Sequence, residues 1–300
     1  MRYFITKTDL LQANLLYRSG NILAEGPYWH EKRQSFFWVD IDGKKFQEYK
    51  WKTGEVQEWQ LDYRVSLIAE TMYDDRLLLG IQGGLISFEL DTGRFSWLAA
   101  IEQDKPMNRS NDGGCDAGGR LWFGTMHRAF EKGKGSLYSV ETDFSVRKKL
   151  DNVTISNGIV WSRDNKKMYY IDSPEKTVQC FLFDADKGNL RFEKTAIKIT
   201  EGSPDGMCMD EEGMLWIAQW DAFGVYRWNP ENGRLLDKIE LPVPQVSSCA
   251  FGGEHLDHLF ITTARENMDT ETLDKFPLSG HVFIAKPGVK GIRGHKFGRQ

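Results

Sequence analysis

Helical periodicity is nearly missing from this 300-residue chain: few runs place apolar residues at i, i+3, i+4 and i+7. Cysteine is scarce as well. Cys115, Cys180, Cys208 and Cys249 never form C-x-x-C, which argues against a zinc knuckle or a redox pair. Four reduced, mostly buried thiols in a cytoplasmic protein are expected instead. No stretch approaches the ~18 uncharged apolar residues that a membrane helix needs. The first thirty residues carry Arg2, Lys7, Asp9 and Arg18 and lack the apolar core and cleavage site of a signal peptide. Basic excess is absent too, with 39 Lys+Arg against 43 Asp+Glu, so nothing electrostatic favours nucleic acid. The basic end (Lys290, Arg293, His295, Lys296 and Arg299, spaced by glycines) reads as a frayed tail. G-x-S-x-G, H-E-x-x-H and P-loop motifs do not occur. A monomer or weak oligomer without nucleic-acid or membrane partners is the expectation.

What is present is a high density of strand-forming residues. Aromatics make up 13% of the chain, and short β-branched or aromatic runs alternate with Asp, Asn and Gly turns. One unit recurs: an apolar strand, a turn of the type D-x-x-G, then a second apolar strand. Its clear copies are DAGGRLWFGTM from Asp116, DNKKMYYIDS from Asp164 and DEEGMLWIAQW from Asp210; weaker ones begin at His30, Asp74 and Gly252. The steps between these six positions are 44, 42, 48, 46 and 42 residues. A second hairpin follows each copy, its first strand beginning near Lys45, Gly84, Gly135, Thr177, Gly224 and Gly280. Four strands in about 40–45 residues make one propeller blade. The chain is therefore expected to be all-β, a single six-bladed β-propeller over residues 1–300 with four-stranded antiparallel blades. The last copy is one strand short after HVFIAKP, and NLLYR from Asn14 to Arg18 has no partner in its own blade. That N-terminal run is expected to close the ring, since an open sheet edge invites pairing with other chains.

Counting back five residues from each turn gives Glu25, Ala69, Asn111, Ile159, Asp205 and Ser247. In the fourth copy Asn157 is the better match, because Asn157-Gly158 then corresponds to Glu25-Gly26 and Asp205-Gly206. These positions open the innermost strands, whose ends ring the central channel. Two carboxylates converging on the axis would repel one another unless a cation lay between them. Oxygen donors without His or Cys suit a hard or intermediate divalent ion such as Ca²⁺, Mg²⁺ or Mn²⁺. The glycines that follow let the backbone pass close to its neighbour or turn. Asp184-x-Asp186-x-Gly188 hints at an EF-hand, but Thr195 stands where the closing Glu should be, so the run reads as a hairpin turn. His30, His255 and His258 fall in outer turns, whereas His127 directly follows LWFGTM and is a candidate pocket wall.

LAEGPYW at 23–29, NRSNDGGCDAGGRLWFGTM at 108–126, SNGIVWS at 156–162, YYIDS at 169–173 and SPDGMCMDEEGMLWIAQW at 203–220 resemble the regucalcin (senescence marker protein)/gluconolactonase family. CAFGGEHLDHLFITTAREN and PLSGHVF look more like the bacterial sugar-lactone lactonases than the animal proteins. The resemblance implies one divalent metal (Ca, Mg, Mn, Zn or Fe) held by Glu25, Asn157 and Asp205, and substrate contacts from Arg109, Asn111 and Asp112. The acidic contact of animal members shortly after G-T-M is missing, since His127, Arg128 and Ala129 follow Met126; His127 or Arg128 is the nearest polar replacement. The implied activity is hydrolysis of an aldonolactone (glucono-, xylono-, arabino- or galactonolactone) to the aldonic acid, with Asp205 the candidate general base. Two other readings stay open: an organophosphate or arylester hydrolase, and a calcium-binding propeller without catalysis.

Overall fold

Six four-stranded antiparallel sheets stand around one axis in the computed structural model, which describes residues 11–298. Their inner strands are Ala24–His30, Val65–Glu70, Asn108–Cys115, Ser156–Trp161, Ser203–Met209 and Val246–Gly252, in blades 1 to 6. All six run the same way along the channel. Arg2, Lys7, Asp9 and Arg299 lie outside the described residues.

The reason these strands read as near-continuous apolar runs is that both of their faces are covered. Ser35–Asp40, the second strand of blade 1, is buried at every position. Phe37 and Val39 join a cluster with Leu77, Leu79 and Phe88 of blade 2, while Phe36 and Trp38 turn the other way onto Phe260 and Val282 of blade 6. The same arrangement recurs around the ring, with one apolar cluster at each of the six blade junctions. Alternate residues of one strand thus feed two different cores.

The repeated D-x-x-G turn has a structural task. In blade 3 Asp116 Oδ1 accepts from the Gly118 and Arg120 amides, and its Oδ2 accepts from Trp122 Nε1 at 2.8 Å. Asp210 repeats this in blade 5 with the Glu212 and Met214 amides and Trp216 Nε1 at 3.0 Å. Each carboxylate fastens a turn to a buried indole of the next strand. Asp184 likewise caps a hairpin, its Oδ1 accepting from the Asp186 and Lys187 amides.

Ring closure follows the expectation, with one addition. Asn14–Tyr17 pairs antiparallel with Val282–Ala285 and completes blade 6. Upstream, Leu11–Gln12 pairs parallel with the outer strand Arg234–Glu240 of blade 5, so the N-terminal segment spans two blades. A six-residue helix, Thr270–Lys275, stands in the long connection of blade 6, its N-terminus capped by Asp269. Among the described residues no helix is long and apolar enough to cross a membrane. All four cysteines are free thiols.

Three sequence expectations fail. His258, read as a turn residue, opens the second strand of blade 6, His258–Thr263. His30 is not a turn residue: it ends the inner strand of blade 1, fully buried, with Nε2 3.7 Å from Glu70 Oε1. Nor is the basic C-terminal segment frayed. Phe297 is buried and stacks on Phe144, and residues 290–298 are hydrogen-bonded across the end of the ring.

Candidate active site at one end of the channel

Every inner strand is irregular where the axial residues sit. The pairing register slips between Glu25 and Tyr28, Val65 and Leu67, Ser110 and Gly113, Asn157 and Ile159, Pro204 and Met207, and Val246 and Ser248. A β-bulge bends its strand and re-aims a side chain, and here six of them turn polar groups toward one end of the channel. The bulge of blade 2 places Ser66 at the position that counting assigns to Ala69, and that of blade 4 begins at Asn157, ahead of Ile159. Close approach is why glycine follows three of these residues. A Cβ on Gly206 would lie 2.0 Å from Ser248 Oγ, and one on Gly26, at φ +53°, would lie 2.9 Å from Ser66 O.

Glu25, Arg109, Asn111, Asn157 and Asp205 are all buried at this end, each no more than 7% exposed. A chain of amide hydrogen bonds orders three blades. Asn111 Nδ2 donates to Ser156 O at 2.7 Å and to Asn157 Oδ1 at 3.0 Å. Asn157 Nδ2 in turn donates to Ser173 Oγ at 2.8 Å, whose hydroxyl donates to Pro204 O at 2.7 Å. Arg109 Nη1 donates to Ser110 O and to Asn111 Oδ1, which ties the guanidinium to the same network.

The carboxylates are poorly compensated. Glu25 Oε2 accepts only from the Gly26 amide among the described residues, and Asp205 Oδ1 is buried with no donor at all. Burial, then the charges of Glu25 and Asp112, push the Asp205 carboxyl well above the usual range. Burial and Asp112 push Glu25 up in the same direction, with Arg109 opposing. Asp112 itself is raised to about 6 by burial, against the Gly113 amide that it accepts from at 2.7 Å. Arg109 is pulled down by burial and held up by Asp42, Glu266 and Glu25. Two neighbouring acids that resist ionising, one with an orphaned oxygen, together with the Asn157 amide oxygen, are what a divalent cation would relieve. The donor set fits such an ion.

His127 ends the second strand of blade 3, in register opposite Asn108, so it flanks Arg109 at the mouth. Its Nδ1 is buried without a hydrogen bond and lies 3.8 Å from the exposed Glu131 carboxylate. Glu131 is an acid that inspection of the residues directly after Met126 overlooks, because it sits beyond a tight loop. Asp42 and Glu266 were also missed. They come from loops of blades 1 and 6, and Asp42 is held by Arg64 Nε at 2.6 Å. Asp112 departs from the grouping with Arg109: it lines the cavity on the far side of the site.

These features define a six-bladed propeller with an acidic, oxygen-donor site on its axis. Residues 23–265 match the SMP-30/Gluconolactonase/LRE-like region, and the chain belongs to that family. It is 38% identical to regucalcin of Gallus gallus over 284 residues, covering 92% of this chain and 94% of the relative. A regucalcin structure from Agrobacterium tumefaciens, described as a calcium-binding protein, superposes with a TM-score of 0.92 at 29% identity, covering 96% of this chain and 98% of the other. A luciferin-regenerating enzyme gives 0.90 at 31% identity, covering 95% and 99%.

Proposed function

We propose that the protein is a lactonase that opens sugar-acid lactones, aldonolactones of five or six carbons, with one divalent cation held by Glu25, Asn157 and Asp205. The observation that carries this reading is the buried, donorless Asp205 Oδ1 beside a second buried carboxylate. A cation bound there supplies Lewis-acid polarisation of the ester carbonyl. Membership of a family whose description includes gluconolactonase supports the reaction class.

The chain's own residues would do the rest. Arg109 presents a desolvated guanidinium whose remaining N–H groups can donate to ring or hydroxyl oxygens of the sugar. Asn111 holds Arg109 and Asn157 in fixed relation, so the substrate face and the cation face are positioned together. The Asp205 carboxylate, through an oxygen that the cation leaves free, would take a proton from the attacking water as the water oxygen bonds to the carbonyl carbon. The proton then passes to the ring oxygen as the C–O bond breaks, leaving the open hydroxy acid, which ionises. No macromolecular partner is needed, and the protein would act as a monomer or weak oligomer.

Release of acid from a panel of aldonolactones, followed at constant pH with and without a chelator, tests this. Metal-dependent hydrolysis supports it. Tight calcium binding with no turnover would favour a calcium-binding propeller. Met107 and Phe130, both more than 40% exposed beside the His127 loop, favour a second reading as an arylester hydrolase, which faster turnover of phenyl acetate than of any lactone would establish.

A further inference from the structure

The C-terminal segment 290–298 crosses the end of the ring opposite the candidate site and meets every blade. Glu211 N donates to Lys290 O at 2.8 Å in blade 5, and Gly291 N donates to Leu256 O at 2.8 Å in blade 6. Arg293 Nη2 reaches Glu31 of blade 1 at 2.6 Å, and His295 Nε2 lies 3.2 Å from Asn165 Oδ1 of blade 4. In blade 2 Phe297 N donates to Glu70 O at 2.8 Å, and Lys296 Nζ pairs with the buried Glu70 carboxylate. Gly298 N donates to Gly119 O at 3.0 Å in blade 3. These contacts fall on the ends of the inner strands and the turns that follow them, the turns that mark the sequence repeat.

Chemistry and shape both fit a built closure rather than a chance path. The segment is basic: Arg293 pairs with Glu31 and Lys296 with Glu70, while the Lys290 backbone amide donates to Glu211 Oε1 at 3.3 Å. Opposite charges at close range favour this track over others across the face. Phe297 enters the apolar cluster between blades 2 and 3 and is only 7% exposed, so the far end of the segment is anchored in a core. Two glycines permit contact: a Cβ on Gly291 would lie 2.1 Å from Phe251 Cβ, and one on Gly119 2.1 Å from Gly298 O. Above the segment is a cavity of about 690 Å³, whose wall includes Asp112, Cys208, Cys249 and Trp161 and whose floor includes residues 292–296.

We infer that residues 290–298 form a strap that narrows the far end of the channel and leaves the cavity behind the axial site only partly open, so that passage to the site runs chiefly through the opposite face. Substrate and product would then share the face that carries Arg109 and His127. The inference stands whatever reaction the site performs, because it rests on the strap and the cavity alone.

Cys208 lines the cavity, partly exposed with the strap in place, and reports on access past the strap, while the buried Cys180, in the third strand of blade 4 and bonded to Glu193, lies outside it. The full-length protein, a version ending at Pro287, and the double variant Lys296→Met/Phe297→Ser would be treated with N-ethylmaleimide. Peptide mass spectrometry would then give the labelling rate at each cysteine. Cys208 should react at least about tenfold faster in either altered protein, with Cys180 unchanged. Equal rates at Cys208 in all three proteins would overturn the inference that the strap restricts this end. A parallel rise at Cys180 in both altered proteins would also overturn it, by showing that the segment only holds the ring together. If the truncated protein does not fold, the double variant decides.

Discussion

Replacing Asp205 by Asn should make the metal-free protein more stable while abolishing its chemistry. Asp205 is 7% exposed, its Oδ1 has no donor, and burial together with Glu25 and Asp112 raises its carboxyl well above the usual range. An acid whose folded-state value is raised binds protons more tightly in the native state than in the unfolded chain. Stability of the metal-free protein therefore falls as pH rises from the ordinary carboxylate range, about 4, through the raised value. Below that range both states are protonated and nothing is lost. Asn removes the charge and lets Glu25 ionise with one like neighbour fewer. Leaving a buried polar group unsatisfied costs about 1–3 kcal/mol, which sets the scale of the gain. At about 2–4 °C per kcal/mol for a large domain, Asp205→Asn should melt about 4–8 °C above wild type at about pH 8 for a 2 kcal/mol gain. The gain should vanish near pH 4. With Ca²⁺ at a hundred times its dissociation constant, wild type recovers about 2.7 kcal/mol and the order reverses. Calorimetry of chelator-dialysed protein at both pH values, with and without Ca²⁺, measures all of this. A metal-free Asp205→Asn protein that melts at or below wild type at the higher pH would refute the argument.

Hydrolysis of aldonolactones should stop with a chelator and return with Ca²⁺, Mg²⁺, Mn²⁺, Zn²⁺ or Fe²⁺; full turnover by stripped protein would end the metal reading. Affinity for the ion should tighten as pH rises, because binding displaces the protons that Glu25 and Asp205 retain; calorimetric titrations at two pH values would show a flat response if it does not. Deleting residues 1–18 removes the strand Asn14–Tyr17 that completes blade 6, and the loss of its Leu15 and Leu16 contacts should cost about 3–5 kcal/mol; an unchanged melting temperature would contradict the closure. Arg109→Ala should lower kcat/KM for every lactone by about tenfold to a hundredfold, the worth of a charged hydrogen bond of about 1.5–3 kcal/mol. His127→Ala should instead change the ranking among pentono- and hexonolactones, and an unaltered ranking would put His127 outside the pocket.

How much of this could be read beforehand depends on where each residue gets its neighbours. Glu25, Asn157 and Asp205 were legible because each stands at the same place in a repeating unit, and a repeat around an axis brings equivalent places together. The count slipped at Ala69 because the turn mark Asp74 lies four residues beyond the strand end at Glu70, so a fixed offset of five stops three residues short of Ser66. His30 looked like a turn residue since it begins a D-x-x-G-like segment, yet its surroundings come from Glu70 in the next blade, which no local pattern encodes. Asp42 and Glu266 escaped for the same reason: both act on Arg109 from non-repeated loops of other blades. The strap is the extreme case. Its glycines and basic residues have no apolar period, and one aromatic, Phe297, is its sole deeply buried hydrophobic anchor. Composition alone could not separate it from a loose end, because its partners are the six turns themselves, spread from Glu31 to Leu256 along the chain. A segment whose order depends on a completed ring acquires its meaning only after the repeats have assembled. That makes the strap, unlike the axial residues, a feature of the tertiary structure rather than of the repeat.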